Sequence, residues 1–169
     1  MFLREVFEIL RSRYEFVIAD TPPAFTPEVI AAVDASSQLC MVGMLDALSL
    51  KDTKIGLETL EQMGYDPAVV TLVLNRADSS VGITQADVEQ LLGRAPDVLV
   101  GSDRAIPRAL TDGRPIVVAE PKSKAARSYT TLAERFLGAA VRPAATTPAL
   151  AAAPPINNGR RRLLLRKVG

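Results

Sequence analysis

The sequence predicts an α/β fold with a parallel sheet wrapped by helices, and three features carry that reading. Strand-type and helix-type patterns alternate along residues 1–141. The strand patterns are continuous apolar runs, which suit strands buried on both faces, not the apolar–polar alternation of a half-wet sheet. Aromatic residues make up only 5% of the chain and tryptophan is absent. The core must therefore be filled by Val, Leu, Ile and Ala.

The elements follow in order. Residues 2–12 read as a helix with Phe2, Val6, Ile9 and Leu10 on one face. Phe16–Ala19 is a short apolar run ending at Asp20 and reads as a buried strand, broken by Thr21-Pro22-Pro23. Residues 27–35 follow as a helix, with Thr26 as N-cap and Pro27 in the first position. Leu39–Met44 is a strand pattern. Ser49–Met63 is an amphipathic helix closed by Gly64. Val69–Leu74 is the clearest strand, β-branched and apolar, ending at Asn75. Thr84 caps a helix running to Leu92. Val98–Val100 reads as a short strand, Ile106–Leu110 as a short helix, Ile116–Val118 as a final strand and Ser123–Val141 as a long closing helix. Residues 142–159, rich in Ala, Pro and Thr, cannot build a core and read as a disordered or extended linker. Residues 160–169 form a basic amphipathic tail.

Composition excludes several classes. All 19 acidic residues and 14 of the 20 basic ones lie in residues 1–141, so that body carries 14 − 19 = −5, while residues 142–169 carry +6. A negative body argues against a general nucleic-acid surface, and no sequence-specific nucleic acid is expected. Cys40 is the one cysteine, and it reads as a small buried core residue. With no disulfide framework possible, a reducing cytoplasm is expected. With no histidine, a zinc site is not expected. Glu5 and Glu8 break any signal-peptide core, and no apolar run approaches the roughly 20 residues that span a bilayer.

In such a sheet, ligands bind beyond the carboxyl ends of the strands. Asp20 ends an apolar strand pattern, where a carboxylate can hold Mg²⁺ through water while the metal bridges phosphate oxygens. An Asp before a turn is also common without chemistry. Asn75 offers a donor and an acceptor that match an adenine edge, and Arg76 can stack on a base. Asn and Asp after a strand also suit a plain turn. Val100 to Ile116, containing Asp103 and Pro107, reads either as connection chemistry or as the wall of a base pocket.

Taken together in order, these segments resemble the MinD/ParA/CpaE group of deviant-Walker P-loop ATPases over about residues 1–140. Phe16–Pro23 resembles the group's second acidic motif. Leu74-Asn-Arg-Ala-Asp78 resembles the CpaE-like segment that reads adenine, and Ala105–Ile116 resembles its late strand–helix segment. Gly64-Tyr-Asp-Pro67 and Gly82-Ile-Thr84 are CpaE-like too. The resemblance implies a three-layer P-loop NTPase-like domain over residues 1–141, with ATP and Mg²⁺ as cofactors. It implies that Asp20 organises the magnesium shell and signals through Pro22 and Pro23, and that Asn75 contacts adenine beside Arg76, Asp103 and Pro107. Asp46 and Asp52 would lie near an ATP-sandwiched homodimer interface, although a helix N-terminus explains both acids equally well.

One departure is large. The group's glycine-rich loop with its lysines has no counterpart here, since no Gly-Lys-Ser/Thr occurs in the sequence. Without it there is no cradle of backbone N–H groups for phosphates. The resemblance therefore implies an incomplete domain, a fragment or split product, that does not hydrolyse ATP alone and leaves a sheet edge exposed.

The tail sets Arg160, Arg161, Arg162, Arg166 and Lys167 around Leu163, Leu164 and Leu165, and resembles the C-terminal membrane-targeting segment of MinD. Such a segment is attracted to anionic lipid while its leucines enter the interface. A solubilising tail and nonspecific phosphate contact are the alternatives. The expected function is a spatial-organising ATPase serving division, partition or Flp pilus assembly. It would sit in the cytoplasm and at the inner face of the membrane, with machinery proteins as partners. The other reading is a nonenzymatic localisation scaffold that binds partner proteins.

Overall fold

The computed structural model describes residues 2–78 and 82–140. The chain runs α1 (Phe2–Arg13), α2 (Pro27–Ala35), β1 (Leu39–Met44), α3 (Ala47–Gln62), a single 3-10 turn at Pro67–Val69, β2 (Val70–Asn75), α4 (Gln85–Leu92), β3 (Val98–Val100), α5 (Ala105–Thr111), α6 (Ile116–Ala119) and α7 (Lys124–Ala140). The expected linker 142–159 and tail 160–169 lie outside the described residues.

The three strands form one parallel sheet in the order β1-β2-β3. Leu39 pairs with Val70 and Met44 with Asn75, while Val73 pairs with Val98 and Asn75 with Val100. Successive residues of β2 face opposite sides, so Leu72 and Leu74 meet Leu50 of α3 and Val88 and Leu92 of α4. Val73 turns the other way and joins Val98, Val100 and Ala125 of α7. Helices thus cover both faces, giving the three-layer α/β arrangement the continuous apolar runs predicted.

Local chemistry explains the boundaries. Thr26 caps α2 with Pro27 in the first turn, and Asp46 caps α3 through its bond from Ser49 N. Thr84 and Asp87 form a reciprocal capping box at α4, which ends at Gly93 with φ 73°. Gly43 lets β1 approach α3 closely. A Cβ there would stand 2.5 Å from Thr53 Oγ1.

Three expectations are corrected. Phe16–Ala19 is not a strand but an exposed coil, with Ile18 92% accessible. An apolar run becomes a strand only beside a ladder partner, and among the described residues none lies next to it. Ile116–Val118 belongs to helix α6, not to a final strand. Pro115 sets the helix start, Ile116 enters the cluster with Ala109 and Ala126, Ala119 packs against it, and Val118 stays exposed. Cys40 is exposed, not buried. It shares the face of β1 with Val42 and Met44, which no helix among the described residues covers. Partial desolvation nonetheless pushes its thiol pKa up, away from reactivity.

Candidate functional site

The carboxyl ends of the three strands form a continuous rim. Leu45 N donates to Asn75 O (3.3 Å), tying the tip of β1 to that of β2. Met44 N donates to Ser49 Oγ (2.8 Å) and Ser49 N to Asp46 Oδ1 (2.8 Å), so the first turn of α3 locks onto the end of β1. Ala77 N donates to Val100 O (3.0 Å), which carries the rim on to β3.

Asn75 closes β2, half-buried, and its Oδ1 accepts the N–H of Arg76 (3.0 Å). The amide hydrogens on Nδ2 can still donate outward. Arg76 is the one non-glycine among the described residues with positive φ, at 53°. That left-handed conformation is strained for a residue with a Cβ, and such strain gathers at functional sites. It turns the chain sharply at the rim and leaves the guanidinium exposed.

The neighbouring loop is held by Asp78, whose Oδ1 accepts the N–H of Ser102 (2.6 Å). Hydrogen bonds from Ser102, with a smaller contribution from the charge of Lys124, hold the Asp78 carboxyl below its ordinary range. A Cβ on Gly101 would sit 3.3 Å from Asp78 Oδ2, so glycine makes room for the carboxylate. Sequence reading passed over this clamp. Its signal was there: an acid three residues past one strand and a Gly-Ser pair just past the next become neighbours once the strands run parallel.

Among the residues singled out from sequence, Asn75, Arg76 and Asp103 come together on the rim. Asp103 Oδ1 accepts the N–H of Ala105 (2.9 Å) and starts α5. Pro107 lies in the first turn of α5, where its missing N–H is harmless. Asp46 is committed to the cap of α3, and Asp52 is exposed on the same helix. Asp20, Pro22 and Pro23 lie on the exposed coil between α1 and α2, so no strand sets Asp20 beside Asn75 as expected. Residues 160–167 lie outside the described residues.

No family model matches the chain. It is 26% identical over 143 residues to the cell division protein PomZ of Myxococcus xanthus, covering 80% of this chain and 45% of PomZ. A ParA family ATPase from Chlorobium tepidum superimposes with a TM-score of 0.71 at 21% identity, over 78% of this chain and 55% of that one. MinD of Pyrococcus horikoshii, in complex with Mg-ADP, gives 0.67 at 23% identity, over 83% and 59%. The chain is thus similar in sequence to a ParA/MinD-type cell division protein and shares the fold of MinD and ParA ATPases. It spans about half the length of the curated relatives it matches, 45% of one and 52% of the other.

The Mg-ADP bound to the similar MinD structure raises the fit of a nucleotide and Mg²⁺ to these residues. The rim offers a side-chain amide, a guanidinium and a glycine-lined loop, groups whose chemistry suits a purine base. For phosphates and Mg²⁺ the residues present do not fit. The sequence has no glycine-rich lysine loop, and no group of three potential metal ligands occurs among the described residues. No hydrolytic step can be derived from this chain. No helix among the described residues is long and apolar enough to cross a membrane.

Proposed function

We propose that this chain supplies the base-reading part of the nucleotide site of a spatial-organising ATPase of the MinD/CpaE class, with phosphate binding supplied by a segment that its sequence does not contain. The observation that carries the reading is the rim itself, where Asn75 and Arg76 at the end of β2 stand beside Gly101–Asp103 just after β3 in a fold shared with MinD and ParA ATPases. Asn75 Nδ2 donates to a ring nitrogen of adenine, Arg76 stacks on the base, and the Asp103–Pro107 segment walls the pocket. Asp20, with Pro22 and Pro23, joins a magnesium shell through water only once its segment is drawn into a sheet. Asp46 and Asp52 lie toward an ATP-dependent homodimer contact. The tail, Arg160–Lys167, gives weak attachment to anionic membrane, strengthened by avidity in a dimer. The CpaE-like segments favour Flp pilus assembly over division or partition.

The test is a titration of the isotope-labelled chain with ATP, followed by NMR. The amides of Asn75, Arg76, Ser102 and Asp103 should shift together, with an affinity no tighter than about millimolar, since adenine contacts act alone. Asn75→Ala should abolish the shifts. Absence of any shift on the rim sinks the base-reading role, and micromolar binding by the chain alone sinks the proposed division of labour.

The scaffold reading has one observation in its favour. Phe16, Ile18, Val42 and Met44 are all substantially exposed, as a protein-binding surface requires.

A further inference from the structure

The helices α1 and α2 pack on each other and leave an open groove of about 680 Å³ between them. Phe2, Leu3 and Pro27 give it an apolar lining. Glu5, Glu8, Glu28 and Asp34 also line it, against one cation, Arg4. Asp34 is engaged by the hydroxyl of Tyr65, which anchors α2 to the turn after α3. At the far end, Arg11 Nη1 donates to Ala35 O (3.4 Å) and clasps the two helices together. No residue of α1 is buried, and Phe2, Arg4, Glu5 and Glu8 are exposed, so these side chains remain available to a ligand.

The groove is acidic and apolar at once, and one segment of this chain has the matching character. Arg160, Arg161 and Arg162 precede Leu163, Leu164 and Leu165, and Arg166 and Lys167 follow. We propose that the groove between α1 and α2 is the docking site of this same chain's basic terminus, Arg160–Lys167, and that docking withholds the terminus from anionic surfaces. The leucines sit on Phe2, Leu3 and Pro27, while the flanking cations meet Glu5, Glu8 and Glu28.

Dimensions agree. As a helix, eight residues are about 12 Å long, close to the roughly 9 Å from Phe2 to Glu8 along α1. A domain of this size has a radius of gyration of about 14 Å, hence a breadth of roughly 35–40 Å. The 19 residues 141–159 span up to about 60 Å when extended, enough to reach any point on the body. An intramolecular partner is also present at high effective concentration, which favours a weak contact over a competitor in solution.

The inference does not depend on nucleotide binding, and its test reads the contact directly. Isotope-light and isotope-heavy full-length chains are mixed and treated with a carbodiimide, which joins an amine to a touching carboxylate. Lys167 is expected to link to Glu5, Glu8 or Glu28 within one isotope set, in preference to Glu58, Glu61 or Glu89 on α3 and α4. The yield should fall at high salt. Glu5→Lys with Glu8→Lys, both exposed positions on α1, should remove the links to Glu28. If the tail is docked two-thirds of the time, its release raises binding to phosphatidylcholine–phosphatidylglycerol vesicles about threefold. Even spread of Lys167 links over the acidic residues of the body, or links only between isotope sets, overturns the proposal. If the chain ignores vesicles, membrane attachment fails while the cross-link pattern still decides the docking.

Discussion

Gly43 shows how one missing side chain shapes the site. It lies in β1 facing Thr53, a buried residue of α3 whose hydroxyl donates to Ser49 O (2.7 Å). A Cβ at position 43 would meet Thr53 Oγ1 at 2.5 Å and Leu74 Cδ2 at 3.3 Å. Gly43→Ala must therefore push α3 off the sheet, at about 1–3 kcal/mol of stability. Because α3 starts at the tip of β1, the shift reaches the rim. Chemical denaturation checks the loss, and a double-mutant cycle checks its cause. Thr53→Ala removes the clashing oxygen, so the pair together should cost less than the sum of the singles, by about 0.5–1 kcal/mol. Strict additivity would refute the steric account. Arg76 is the other special residue of the rim, since its left-handed backbone would suit glycine. Arg76→Gly should raise stability by up to about 1 kcal/mol, while weakening any stacking on a base.

Elements are joined by carboxylates that sequence reading did not single out. Asp97 precedes β3, and its side chain accepts from Leu72 N (2.8 Å), Arg94 Nη2 (2.9 Å) and Arg135 Nη2 (2.7 Å). One acid thus ties β2, the loop before β3 and the closing helix α7. Asp97→Ala should cost about 2–3 kcal/mol, because it strands a strand N–H and releases two guanidinium partners. A denaturation midpoint unchanged by this substitution would contradict the role. Three hydrogen-bonded acids make a pH prediction. Asp87 is held below its ordinary range by Thr84, Asp78 by Ser102 and Glu28 by Thr26. A depressed folded pKa means stabilisation that is present above the unfolded value and lost as pH falls through the folded one. Unfolding in acid should therefore set in below about pH 4. Asp87→Asn should reduce stability at neutral pH and converge with the parent at low pH. Most elements were legible because each carries its own signal: Thr26-Pro27, Asp46, Thr84 with Asp87, and the β-branched run of β2. Phe16–Ala19 and Ile116–Val118 were misread for a common reason. Both have strand composition, and strand composition becomes a strand only when a neighbour offers a ladder, which no local pattern records.

At the scale of the whole molecule, the sheet is covered unevenly. Its β2 strand is buried on both faces, yet β1 is paired on one side only among the described residues. Val42 and Met44, 59% and 41% exposed, lie on the face where Val73 is sealed by the α7 cluster. Phe16 and Ile18 add further exposed apolar surface from the coil before α2. The site divides the same way. The place of Asn75 and Arg76 at the end of β2 was legible from the strand pattern before them, whereas the place of Asp20 was not, because it depends on sheet pairing beyond its own run. An open parallel edge with an apolar face invites pairing with another chain. The purified chain should therefore associate with rising concentration in sedimentation velocity. Val42→Lys places a charge on that face, the device natural edge strands use, and should return the chain toward monomer. Ile55→Lys serves as the control, since Ile55 is also half or more exposed but lies on α3. If both lysines act alike, the association is general stickiness of exposed apolar groups. If only Val42→Lys acts, association runs through the edge of β1, the same edge at which a complementary strand would complete the sheet.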